Sequence, residues 1–104
     1  MKSFTTAMAV LLLCAAGPAL ASEKIAAASG CVACHASAKK LVGPSYKDIA
    51  AKYKGNADAP ALLAERIRKG SKGVWGTAPM PPTPAARLSD ADLKAVVAWV
   101  LKTP

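Results

Sequence analysis

Cys31-Val32-Ala33-Cys34-His35 is the stretch of sequence that decides the fold of this chain. Two thiols three residues apart, followed at once by an imidazole, form the C-x-x-C-H pattern of c-type haem attachment. The spacing lets the thiols form thioethers with the two vinyl groups on one side of a porphyrin. It also brings the imidazole of His35 over the ring, where a nitrogen reaches the iron. The stretch therefore predicts one haem c, bound through Cys31 and Cys34, with His35 as an axial ligand.

Three other kinds of site use some of the same residues. A thioredoxin-like redox pair occurs in a βαβ context, which this sequence does not offer. A structural zinc site needs four ligands, whereas residues 22–104 contain no further Cys or His. A simple disulfide between Cys31 and Cys34 closes a loop too short to constrain the chain, and it leaves His35 without a role. Haem attachment is the interpretation that uses all three side chains.

The N-terminal residues have the pattern of a secretory signal peptide. Lys2 precedes an apolar run over residues 7–16, and Ala19-Leu20-Ala21 follows with small residues at its first and last positions. That order is typical of a leader removed after export. We therefore expect cleavage of residues 1–21, leaving residues 22–104 as one monohaem domain in the periplasm.

Two membrane-bound alternatives compete with a cleaved leader. A spanning helix needs roughly 20 apolar residues, and the run over residues 7–16 is too short for that. A lipid anchor on Cys14 stays open, although the bulky Leu13 stands where a small residue is usual. We expect no stable membrane association and a monomeric protein.

The charge is strongly positive, with a formal net charge of +8 at pH 7. Export separates the protein from DNA and most RNA, so we predict no nucleic-acid partner. The lysines are spread from Lys24 to Lys102 rather than clustered. Such a distribution suits a solvated surface or a docking face for acidic partners.

The apolar residues follow a helical period, and no alternating strand pattern of useful length occurs. This period predicts two buried helix faces, one formed by Tyr46, Ile49, Ala50 and Tyr53 and the other an apolar stripe of Leu93, Val96, Val97, Val100 and Leu101. We predict a small all-α domain whose helices cover residues 23–29, 45–53, 60–70 and 89–101. Ser45 and Ser89 are the predicted N-caps, each with an aspartate three residues later. Gly30 and Gly70 are the predicted helix ends.

A second iron ligand follows by elimination. The other two methionines lie in the predicted leader, so Met80 is the only methionine of residues 22–104. It stands between prolines, in a Gly- and Pro-rich segment over residues 70–84 that cannot form regular structure. An isolated methionine is usually core filler, but the prolines here fix the backbone on both sides of a flexible thioether. We expect Met80 to ligate the iron. Coordination by Lys or Tyr, or an open position, are the alternatives.

Six segments together resemble the small bacterial cytochromes c of the c-551 type, over essentially all of residues 22–104. They are Gly30-Cys-Val-Ala-Cys-His35, Val42-Gly-Pro-Ser-Tyr-Lys-Asp48, Arg66-Ile67, Gly70 with Gly73-Val-Trp-Gly76, Pro79-Met-Pro-Pro82 and Ala98-Trp-Val-Leu101. The resemblance implies a class I cytochrome c fold, in which four to five short helices wrap around one covalently bound haem. It also implies a single-electron carrier and not an enzyme.

The resemblance further implies roles for individual residues. The Pro44 carbonyl would accept a hydrogen bond from the ring nitrogen of His35 that does not face the iron. Arg66 and Trp75 would hydrogen-bond a haem propionate, the plain alternatives being a solvated arginine and a packed indole. One departure is Thr83, where the family commonly has Asn after Met-Pro-Pro. It implies a lost or weaker hydrogen bond near the Met80 sulfur and leaves the reduction potential open.

The expected chemistry is electron transfer between respiratory complexes. A thioether opposite an imidazole favours ferrous iron, and two protein ligands leave no room for oxygen or peroxide. The resemblance implies nitrite reductase, a terminal oxidase or a photosynthetic reaction centre as partners. A haem-based sensor or a peroxidase is the alternative if Met80 does not bind the iron, and a module dedicated to one large complex is another.

Overall fold

A computed structural model describes residues 17–104 of the chain. Four α-helices and one 3-10 turn make up its regular structure: α1 is Pro18–Ala28, the turn is Cys31–Ala33, α2 is Tyr46–Tyr53, α3 is Ala59–Lys69 and α4 is Asp90–Leu101. Within this part of the chain the only extended pairings are two isolated bridges, His35 with Lys40 and Ser71 with Met80. The prediction of a small all-α domain is confirmed.

Helix α4 organises the core, because α1, α2 and α3 all pack against it. One face of α4 contributes Val96 and Val100 to a buried cluster with Ala26 and Tyr46. A second buried cluster joins its Leu93 and Val97 to Leu88. The apolar stripe predicted for this helix is therefore divided between two clusters, as expected where one helix contacts several others.

Helix α1 differs from its predicted bounds, which were residues 23–29. It begins at Pro18, five residues earlier, with proline in the first turn, where the missing N–H needs no intrahelical partner. It ends at Ala28, and Gly30 then has a φ of 87°, the left-handed conformation expected of a glycine after a helix. The expected cleavage point after Ala21 thus lies inside α1, while residues 1–16 of the predicted leader lie outside the described residues.

Both predicted N-caps are present. The Ser45 hydroxyl accepts from the Asp48 amide at 3.0 Å, and the Ser89 hydroxyl accepts from the Asp92 amide at 3.2 Å. Each bond satisfies one of the backbone donors that the first turn of a helix leaves free. The Ser45 cap fixes the start of α2 immediately after Pro44, so it helps to position Pro44 and Tyr46, which line an apolar cavity.

Candidate haem site

One large apolar cavity lies between the 3-10 turn, α3, α4 and the loop that connects these two helices. Its lining is mostly apolar, and it is partly open to solvent, as is usual for sites that bind small molecules. All seven residues predicted to bind the cofactor line this cavity: Cys31, Cys34, His35, Pro44, Arg66, Trp75 and Met80. The fold therefore brings the whole predicted set together, although it spans some 50 residues of sequence.

The two thiols are placed by a tight backbone turn. The Cys34 and His35 amides both donate to the Cys31 carbonyl, at 3.2 and 2.9 Å, and this winds the segment into its 3-10 turn. Both cysteines are free and half-buried. Burial raises the pKa of the Cys31 thiol, although a backbone hydrogen bond opposes the shift. Two free thiols beside an apolar cavity suit covalent attachment of an apolar ring.

The imidazole of His35 is held from several sides. Its Nδ1 lies 2.6 Å from the Pro44 carbonyl oxygen, which can only accept, so Nδ1 carries the proton and Nε2 is free to bind a metal. The Tyr46 ring stacks on it, with centroids 5.7 Å apart. A Cβ added at Gly43 would come within 2.8 Å of its Cε1. The backbone at Gly43 thus touches the imidazole, which is a closer approach than any other residue would permit.

Met80 is held through its backbone. Its amide donates to the Ser71 carbonyl at 2.8 Å, and the Ser71 amide donates back to the Met80 carbonyl at 3.0 Å. Gly70, with a φ of 79°, lies so close that an added Cβ would meet the Met80 carbonyl oxygen at 2.6 Å. The Thr83 amide donates to the Ile67 carbonyl at 2.8 Å and ties the following segment to α3. This short bridge presents a thioether on the cavity wall.

The polar part of the lining includes Arg66 and Trp75. The guanidinium of Arg66 donates to the Tyr53 hydroxyl, so α3 and α2 are joined at this point. Trp75 is 39% exposed, and the Lys52 ammonium lies over its indole ring, 4.7 Å from the ring centroid. Trp75 thus lies where the cavity meets solvent.

Sequence reasoning missed three of these supporting residues: Lys52, Tyr53 and Ser71. The pattern placed Tyr53 on the buried face of α2, where it is indeed only 7% exposed. Its bond to Arg66 joins residues 13 apart on two helices, and no local spacing predicts such a pair. Ser71 acts only through its backbone, so its side chain gave no indication of the bridge.

Tyr46 also has a position that the helical pattern only partly explains. The pattern predicted a buried face, and the residue is 5% exposed. Among residues 17–104 its hydroxyl has no hydrogen-bond partner. Burial, aided by the nearby charges of Cys31 and Glu23, raises the pKa of Tyr46 to about 12. The phenol therefore stays neutral at physiological pH beside the ring of His35.

The described residues do not favour a protein-only metal site. In residues 17–104 no three His, Cys, Asp or Glu side chains group closely enough to hold a metal ion, so the zinc alternative finds no ligand set. The lining fits a haem instead, since it combines two free thiols, an oriented imidazole and a thioether in apolar surroundings. Across the same range, no helix has the length and apolarity that crossing a bilayer requires.

Comparison with known proteins agrees with the geometry. The sequence model of the family "Cytochrome c" matches residues 19–104. Cytochrome c2 of Rubrivivax gelatinosus is 60% identical over 81 residues, which cover 78% of this chain and 95% of the relative. Cytochrome c-552 of Hydrogenobacter thermophilus is 45% identical over 101 residues, or 97% of each chain. The crystal structure of wild-type Nitrosomonas europaea cytochrome c552 aligns with a TM-score of 0.73 at 48% identity, covering 79% of this chain and 99% of that one.

These relatives establish the class of cofactor and the class of function. Proteins of this kind carry a covalently attached c-type haem, and Cys31 and Cys34 supply the thiols of the C-x-x-C-H motif. The function that goes with them is electron transport. With its four-helix fold, its apolar cavity and these likenesses over nearly all of the described residues, the chain belongs to the cytochrome c family.

Proposed function

We propose that this cytochrome c carries single electrons in the periplasm and that His35 and Met80 are the two residues that would bind its haem iron. The observation that carries the proposal is that one cavity is lined both by His35, whose ring is oriented, and by Met80, whose backbone is fixed. The Pro44 carbonyl leaves Nε2 of His35 free, and the paired bonds to Ser71 hold Met80 at the cavity wall. A thioether and an oriented imidazole in one apolar cavity are a donor set suited to haem iron.

When bound, the haem supplies an iron that alternates between its ferrous and ferric states. The protein's own contribution is to stabilise the ferrous form. The Met80 thioether is a soft ligand that favours it, while the apolar walls disfavour the additional charge of the oxidised form. The Pro44 carbonyl fixes the His35 tautomer and strengthens the imidazole as a ligand. Two such ligands leave little access for a substrate, which suits a carrier and not an enzyme.

A redox titration combined with ligand binding tests this proposal. We expect the purified mature protein to titrate reversibly as a one-electron couple and to bind no carbon monoxide when reduced. Rapid carbon monoxide binding, or turnover of hydrogen peroxide, would contradict it and support the sensor or peroxidase alternative. Met80→Ala is the matched variant. It removes the proposed thioether ligand, so its iron should bind carbon monoxide readily.

Electron exchange would occur at the exposed edge of the cavity. Val32 and Val42 are 52% and 57% exposed, close in sequence to the attachment turn and to His35. Lys39, Lys40 and Lys72 are also exposed and pair with no carboxylate among residues 17–104. We propose this apolar edge with its lysines as the docking face for acidic donor and acceptor complexes, with nitrite reductase or a terminal oxidase as acceptor.

Ionic strength tests the steering part of that docking. We expect the electron-transfer rate with an acidic acceptor to fall as salt rises, and Lys39→Gln to flatten the dependence. Lys94→Gln on α4 is the control that removes the same charge without removing a predicted docking residue. Rates independent of salt in the unmodified protein would contradict steering.

Export is the remaining part of the proposal. Cleavage after Ala21 would leave Ser22 as the first residue, and the Ser22 side chain is buried against α4, where its hydroxyl reaches the Ala95 carbonyl at 3.5 Å. Mass spectrometry of protein released from the periplasm should give the mass of residues 22–104 plus one haem. Recovery of the uncleaved chain, or of lipid-modified Cys14, would contradict this assignment.

A further inference from the structure

Four side chains from α2, α3 and the following loop meet at the polar part of the cavity. The Arg66 guanidinium, which lines the cavity, donates to the Tyr53 hydroxyl and lies 5.8 Å from the centroid of the Tyr53 ring. Tyr53 is 93% buried and is not part of the lining. It therefore supports Arg66 from behind, restricting a long and flexible side chain to one arrangement at the cavity wall.

Lys52 supports Trp75 in a comparable way. Its ammonium lies 4.7 Å from the centroid of the indole ring and 6.0 Å from that of Tyr53. A cation over an aromatic face at this distance is attracted by the ring's negative face. Since Trp75 lines the cavity in a loop rich in glycine and is partly exposed, this contact restricts the position of its ring.

This group of residues is positive and lacks a protein counter-ion. All six acidic residues of the sequence lie within residues 17–104, and the ion pairs there are Glu65 with Lys69 and Asp90 with Arg68. Neither Lys52 nor Arg66 is paired with a carboxylate. The other titratable groups on the elements around them are Tyr46, Lys47 and Asp48 of α2, Lys54 directly after it, and Lys72 and Arg87 in the loop after α3, of which Tyr46 and Lys72 line the cavity. Two unpaired cations with an indole between cavity and solvent suit an anionic group on the ligand itself.

We propose that Tyr53 and Lys52 are positioning residues that hold Arg66 and Trp75 ready for a carboxylate of the haem, and so keep that carboxylate ionised at neutral pH. The proposal rests on the proposed function, since it needs a haem bound in this cavity. Tyr53 acts through Arg66 and Lys52 through Trp75. The proposed effect of both is on the proton affinity of the carboxylate, beyond any contribution to folding.

The reduction potential reports that proton affinity. An ionised carboxylate beside the iron stabilises the ferric state, so the potential falls as pH rises through the pKa of the carboxylate. A fixed cation lowers that pKa and moves the fall to acidic pH. Removal of the Tyr53 hydroxyl would release the Arg66 guanidinium, which is then held less closely to the carboxylate. The pH at which the reduction potential falls would therefore move toward neutral.

The test is the pH dependence of the reduction potential of the mature holoprotein. For Tyr53→Phe and for Lys52→Gln we expect the proton affinity of the titrating group to rise about three- to tenfold, a shift of the inflection to higher pH. Lys54→Gln removes the same charge two residues away and is expected to leave the inflection in place. Profiles of both test variants superimposable on the unmodified protein would overturn the proposal, as would an equal shift in Lys54→Gln.

Two further measurements distinguish a positioning role of Tyr53 and Lys52 from a general loss of structural stability. In an Arg66→Gln background, Tyr53→Phe should cause no additional shift, whereas an independent structural effect would still add. In Lys52→Gln the indole N–H of Trp75 should exchange with solvent several-fold faster by NMR, and an unchanged rate would contradict the role given to Lys52. Absence of the far-red sulfur-to-iron absorption band from the spectrum of the unmodified protein would instead overturn the proposed function.

Discussion

The two walls of the cavity that carry His35 and Met80, the proposed iron ligands, are built differently. The His35 wall is closed within a short stretch of chain: the Cys31 carbonyl accepts from His35, the Gly43 amide donates to Cys34 at 2.9 Å, and Pro44 receives the ring N–H. The Met80 wall is a loop held near its ends. The bonds to Ser71 fix the backbone of Met80, while within residues 17–104 no backbone hydrogen bond joins residues 72–79 to a helix.

This difference indicates which ligand the protein holds more firmly. Several contacts restrict the His35 ring itself, whereas the backbone contacts of Met80 leave three side-chain torsions to be set by packing and by the iron. Segments with few buried contacts open at the lowest free-energy cost. We therefore expect disturbance of the cavity to release Met80 before His35.

Removal of the thioether links should have the largest effect on stability, because the haem is then no longer covalently attached beside His35. In Cys31→Ala/Cys34→Ala the domain loses its attached haem, and a domain of this size has little other stability to draw on. We expect no cooperative thermal unfolding by circular dichroism and no haem retained under denaturing conditions. Met80→Ala should in contrast fold and keep its haem. A double variant that folds as stably as the unmodified protein would contradict this ranking.

Alanine at Gly43 and at Gly70 tests the two walls by the same chemical change. At Gly70 the backbone conformation is one that only glycine adopts easily, and the added Cβ meets the Met80 carbonyl, at a cost of about 1–3 kcal/mol. We expect this variant to keep a coordinated His35 but to lose much of its far-red band. At Gly43 the added Cβ strains the His35 ring, at about 1–3 kcal/mol, with the band retained. The opposite pattern would invert the proposed order of firmness.

A core substitution away from both walls should lower stability without distinguishing them. Leu88 is 2% exposed and packs with Leu93 and Val97, so Leu88→Ala should cost about 2–5 kcal/mol of unfolding free energy in denaturant titrations. Leu41→Ala, at a site 42% exposed, should cost far less. We expect both variants to keep the absorption spectrum. A spectral change in Leu88→Ala would mean that the core and the iron ligands are coupled.

The helix caps should give the smallest effects. Ser45→Ala removes the cap beside the His35 wall, and Ser89→Ala removes the cap that follows the Met80 loop. Each should destabilise the protein by about 1 kcal/mol, measured by chemical denaturation. Ser89→Thr, at the exposed cap, is the control and should restore most of the loss. Losses above about 2 kcal/mol would mean that a cap hydroxyl supports more than its own helix.

The helices and the haem-attachment stretch could be predicted because their determinants are local. Ser45 and Ser89 each precede an aspartate by three residues, a pattern that predicts the start of a helix. In both cases the serine hydroxyl accepts a hydrogen bond from the aspartate amide. The spacing of the two cysteines and the histidine in the C-x-x-C-H stretch is enough to predict haem attachment. The start of α1 was wrong because the leader and the first helix share apolar, alanine-rich sequence, and only Pro18 marks the boundary.

The supporting contacts could not be predicted because they join segments distant in sequence. The bond between Arg66 and Tyr53 depends on how α2 and α3 pack. The contact of Gly43 with the His35 ring depends on the path of a loop without regular structure. Leu88 precedes α4 without belonging to its helical period, yet it is among the most buried side chains. Tertiary packing alone assigns such residues their roles.

The central claim, ligation by both His35 and Met80, is tested most directly by the far-red absorption of the oxidised, purified mature protein. We predict a weak far-red band, typical of sulfur bound to ferric haem, that is absent in Met80→Ala and retained in Leu41→Ala. A high-spin ferric spectrum without this band in the unmodified protein would contradict the account and show that the iron has an open position.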